Sequence, residues 1–185
     1  LAEYELYNQN GTKLVFNADL MAVGFANNNS WFGESEAFLG ADTDTWMELG
    51  FEPQLSLEAP LGKGTFFGKL SAVFTDTFGD DASGLTIGAD DTHDASIEQG
   101  HVGWRMSDLF PGLTEDVFSI AVGRQDYTIG TGLLIADGGG DGGDRGGWYL
   151  GMRKAFKQSA IARIASKEML AEAFYLENQP RGGGI

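Results

Sequence analysis

The strongest constraint in this chain is an alternation of period two. Between residues 46 and 58 the odd positions carry Met47, Leu49, Phe51, Pro53, Leu55 and Leu57. The even positions carry Trp46, Glu48, Gly50, Glu52, Gln54, Ser56 and Glu58. Successive side chains of a β-strand point to opposite faces, so such a run has one apolar and one polar face. A helix would scatter the same leucines around its cylinder. The run is a strand.

The pattern recurs. Residues 12–25 set Leu14, Phe16, Ala18, Leu20 and Ala22 against Lys13, Asn17 and Asp19. Residues 65–77 set Phe66, Gly68, Leu70, Ala72 and Phe74 against Phe67, Lys69, Ser71, Val73 and Thr75. Residues 98–107 set Val102, Trp104 and Met106 against Gln99, His101, Gly103 and Arg105. A short strand at 3–8 and less regular ones at 117–129, 148–156, 159–167 and 169–177 bring the expected set to nine. The stretch 157–174 has helical propensity in its Ala, Lys and Glu content but reads as two strands.

Several of these runs exceed the roughly 5–6 residues of an average strand and reach the about 9–11 that cross a bilayer at a tilt. Their connections alternate too. Asn10-Gly11 signals a tight hairpin. Then 26–45 is long and polar, 59–64 short, 79–95 long, 108–116 compact and 130–147 long. Outer-membrane barrels have short turns on one side and long loops on the other. Aromatics near the expected strand ends, Phe25, Trp46, Phe78, Phe110, Tyr127, Trp148 and Phe156, suit interfacial girdles. The expected fold is all-β: a transmembrane antiparallel up-and-down β-barrel, one domain over residues 1–185, with long extracellular loops at about 26–45, 79–95 and 130–147.

Composition narrows the function. The 27 acidic and 12 basic residues give a formal charge of −15, which suits no nucleic-acid partner. Without cysteine there is no disulfide framework, thiolate metal site or cysteine nucleophile. Hydrophobic residues at 42% can bury a core, which argues against disorder. No apolar run approaches the ~18 residues of a helical span, but alternation hides a barrel from that count. Leu1-Ala2-Glu3-Tyr4 lacks the basic and apolar regions of an export signal, which is therefore expected to have been removed. His93 and His101 form no His-x-x-x-His pair, and no Gly-x-Ser-x-Gly elbow exists, so no enzyme activity is expected.

The opening Tyr4-Glu5-Leu6-Tyr7-Asn8-Gln9-Asn10-Gly11-Thr12-Lys13-Leu14 resembles the first hairpin of Gram-negative general porins, an aromatic strand, an Asn-Gly turn and then Lys-Leu. Gly123-Arg124-Gln125, Gly130-Thr131-Gly132-Leu133-Leu134-Ile135 and Arg153-Lys154-Ala155-Phe156 are similar to the alginate-export type of barrel. The resemblance implies a bacterial outer-membrane channel for passive passage of ions and small hydrophilic solutes, or for export of an anionic polysaccharide. It implies no cofactor, a surrounding of lipid bilayer and lipopolysaccharide, and a homotrimer if the general-porin likeness holds. Porin barrels have about 16 or 18 strands. A set of nine ending in the loop-like Pro180-Arg181-Gly182-Gly183-Gly184-Ile185 is thus expected to be part of a wall.

On this reading the polar faces line a pore. The candidates are Asp19, Glu48, Glu52, Glu58, His101, Arg105, Arg124, Arg153 and Arg163, acids on the early wall and bases on the later one. They would set a transverse field that selects solutes, or simply pair with one another. Arg124 has the parity of apolar Phe118, Ile120 and Val122. A bulge at Gly123 is expected to turn Arg124 and Asp126 into the pore and Tyr127 and Ile129 outward. Asp137, Asp141 and Asp144, spaced on glycines, could offer hard oxygens to Ca²⁺; otherwise they form an acidic surface loop or one folded into the pore. Competing readings are a secreted soluble β-sandwich that binds carbohydrate, and a small barrel serving as adhesin or anchor. Exposure of the Met47/Leu49/Phe51/Leu55/Leu57 face separates membrane from sandwich.

Overall fold

The computed structural model describes residues 3–27, 34, 45–79, 91–107 and 117–179. Within them the chain is all-β. The strands are β1 (Tyr4–Gln9), β2 (Thr12–Ala26), β3 (Thr45–Leu61), β4 (Gly64–Gly79), β5 (Thr92–Ser107), β6 (Val117–Gln125), β7 (Phe156–Ala165) and β8 (Leu170–Glu177). They form a single antiparallel up-and-down sheet in chain order. The sheet is open, with β1 and β8 as its edges. Asn10 and Gly11 both take positive φ, 53° and 76°, and close the first hairpin between Gln9 and Thr12. At the β7–β8 turn the Ser166 hydroxyl accepts hydrogen bonds from the Glu168 and Met169 amides. The region 157–174 is indeed two strands.

Cross-strand register carries each face through the sheet. Asp19 pairs with Glu52, Gln54 with Ser71, Lys69 with His101 and Arg105 with Ser119. On the opposite face Leu20 pairs with Phe51, Phe51 with Phe74 and Phe74 with Ala95. Burial is the reverse of a soluble sheet. Glu48 is 0% exposed and Glu98 1%, whereas Leu20 is 79%, Leu70 56% and Ile97 58% exposed. Met47, Phe51 and Leu55 are exposed as well, with Leu49 and Leu57 half-buried.

Three details depart from the sequence reading. The described strands number eight, because 148–155 does not join the sheet. Its amides are taken by carboxylates instead of a strand ladder: Tyr149 N by Glu48, Arg153 N by Asp141, and Lys154 N and Ala155 N by Glu98. β6 ends at Gln125 rather than 129, where the same segment begins to leave the sheet. β5 begins at Thr92, well before 98. There Leu70 pairs with Gly100 and Ala72 with Ile97, so Glu98 and Gln99 together oppose Ser71. That bulge puts both side chains on the polar side and shifts the alternation by one residue.

The aromatic girdle also needs correction. Phe25 and Trp46 stack at 4.6 Å on the polar face and meet Tyr149, and Tyr127 and Phe156 are buried. Phe78 does stay on the outer face. Phe110, the turn 108–116 and most of the loops at 26–45 and 79–95 lie outside the described residues.

Candidate functional site

Residues 126–155, which connect β6 to β7, fold back over the polar face of β3, β4 and β5. Glycine makes room for them: a Cβ on Gly50 would collide with Met152 Sδ and Leu150. Thr75 Oγ1 donates to Arg145 O at 2.9 Å, and Gly147 N donates to Thr77 Oγ1 at 2.8 Å. Arg153 is the central anchor, 2% exposed. Its guanidinium holds Asp141 and Asp94, each at 2.6 Å, and donates to Thr75 Oγ1 at 3.1 Å and Ser96 Oγ at 3.2 Å. Charge-assisted bonds of this kind are the strongest polar contacts a protein makes.

Between this segment and the sheet lies a cavity of about 480 Å³. Its charged lining is Asp19, Glu52, Lys69, Glu98, Asp126 and Lys154, with the amides of Gln54 and Gln99. Asp19 accepts from Gln54 Nε2 at 2.8 Å and Asp126 from Gln99 Nε2 at 2.9 Å. Glu98 is held by Arg124 and by two backbone amides. Glu52 Oε1 is buried with no hydrogen-bond partner. Lost hydration raises the Asp126 carboxyl above its ordinary value although its side chain reaches solvent; Lys69 and Lys154 oppose that rise.

The structure brings most sequence candidates to this side. Asp19, Glu48, Glu52, Glu58, His101, Arg105 and Arg163 share the polar face by register. Arg153 reaches it from the covering segment. Many of the charges pair off: Glu58 with Arg105 at 2.8 Å, Arg163 with Glu172 at 2.6 Å, and Arg124 with Glu98 at 3.4 Å. Gly123 takes φ +126° where the β6–β7 register shifts, and Arg124 turns toward Glu98 as a bulge there would dictate. Tyr127, expected to point outward, instead packs on Phe174 at 5.1 Å. Both oxygens of Asp141 are engaged by Arg153. Among the described residues no three His, Asp or Glu side chains are grouped to hold a metal ion, Asp137, Asp141 and Asp144 included.

Sequence reasoning did not single out Glu98 or Lys69, and it placed Asp94 in the acidic part of the 79–95 loop, whereas Asp94 lies on β5. Glu98 is concealed by the bulge, and only the folded segment reveals what Asp94 binds. Lys69 was already legible as a polar-face residue. No family model, curated protein or solved structure matches the chain.

Proposed function

We propose that the chain forms the wall of an outer-membrane β-barrel channel for passive passage of ions and small hydrophilic solutes. The inverted burial carries this reading. In water an apolar face running across the strands would far exceed the roughly 300–600 Å² patch of a typical monomer; against lipid tails it is matched. Its extent fits as well. On β4 the outer face is apolar from Phe66 to Phe74 and turns polar at Asp76, which pairs with His93. Nine residues at about 3.4 Å each, tilted as in such barrels, give a band near the ~25 Å of an outer-membrane protein. Lipid tolerates no open edge, so both β1 and β8 are paired in the assembled barrel.

The segment 126–155 occupies the polar side, which favours small solutes over an exported polymer. The same occupancy supports a second reading, a plugged barrel that serves only as an anchor. Reconstitution into planar bilayers separates them. Discrete conductance steps support the channel; insertion without conductance supports the anchor. Failure to insert at all contradicts both.

A further inference from the structure

The geometry points to the 480 Å³ cavity between the sheet and residues 150–154 as a binding subsite for a small solute carrying both ammonium and carboxylate groups, such as a basic amino acid. This deepens the channel reading and rests on it only for how solute arrives. The volume is within the about 300–1,000 Å³ typical of small-molecule pockets, and ample for an amino acid.

The charge arrangement sets the ligand class. Strand order fixes Asp19 on β2 and Glu52 on β3 at one end, and Lys69 on β4 nearer the other. Lys154 enters from the covering segment. Glu98 is already neutralised by Arg124. Neither Lys69 nor Lys154 forms an ion pair among the described residues; Asp126, which also lines the cavity, is close enough to feel both and offsets one of their two charges. Glu52 is 8% exposed, and its Oε1 lacks a partner. Buried carboxylates are costly unless paired; Ser71 satisfies Glu52 only in part, and an ammonium in the cavity beside Glu52 and Asp19 would balance their charge. The two lysines then receive the ligand carboxylate. A ligand with only one charge leaves one end of the cavity unmatched.

Isothermal titration of the folded protein in detergent micelles, with ornithine, acetate, methylammonium and arabinose in turn, tests the assignment. Ornithine is expected to bind at least about tenfold more tightly than either single-charge probe. Glu52→Gln and Lys154→Met should each weaken ornithine about tenfold, with the far-ultraviolet β signal unchanged. Ornithine binding no better than acetate, or untouched by both substitutions, overturns the subsite. Arabinose-driven swelling of liposomes reports the channel separately. Arabinose passage without ornithine binding leaves the channel and removes the subsite. Ornithine binding without arabinose passage does the reverse.

Discussion

Arg153 shows how a single residue organises the polar side. Its partners Asp94, Thr75 and Asp141 lie 59, 78 and 12 positions away in sequence. Reading along the chain marks Arg153 as a charge on an expected strand, but not as the anchor of a segment that leaves the sheet. Asp94 and Thr75 belong to distant strands, and no local pattern announces them. Removing one member of a buried ion pair typically costs about 3–5 kcal/mol, because the other charges stay buried without compensation. Arg153→Met is therefore expected to lower unfolding stability by that order in denaturant titrations. On the proposed channel reading it should also raise single-channel conductance by loosening residues 126–155. Unchanged stability would mean that Asp94 and Asp141 find other partners, and that Arg153 is not the anchor.

At the scale of elements, the strands were legible and the covering segment was not. Alternation marks β2, β3 and β4 because both faces keep strict phase over long runs. It marks only the second half of β5, since Glu98 and Gln99 share one face and throw the first half out of phase. The segment from 126 to 155 looked partly like strand and partly like loop because its backbone partners are carboxylates of distant strands. At Gly50 this segment packs on β3 with no room for a Cβ. Gly50→Leu is expected to displace Leu150 and Met152, leaving the sheet intact. Limited proteolysis should then cut within 126–155 much faster, while circular dichroism keeps its β signature. Slow cleavage as in the parent protein would show that the segment is held without that contact.

For the whole molecule, period-two alternation foretold two chemically distinct faces but not which one would be covered. The structure answers with acids and threonines buried and leucines exposed, the arrangement that lipid outside and polar filling inside would stabilise. On the proposed membrane reading, a charge on the outer face should be far costlier than one on the polar face. Ile97→Lys is expected to destabilise the bilayer-inserted protein by about 2–4 kcal/mol if Ile97 lies near the midplane. Equilibrium unfolding from liposomes measures it, and a loss under about 0.5 kcal/mol would place Ile97 at the interface or in water, outside the apolar band. The chain contains no cysteine, so single cysteines carrying a nitroxide can be introduced one at a time along β4, from residue 66 to 75. Electron paramagnetic resonance on the reconstituted protein then compares collisions with lipid-soluble oxygen and a water-soluble nickel chelate. A lipid-facing outer surface gives oxygen-dominated collisions at 66, 68, 70, 72 and 74 and their loss at 67, 69, 71, 73 and 75. Equal access at both sets, or oxygen preference at the odd positions, would contradict it.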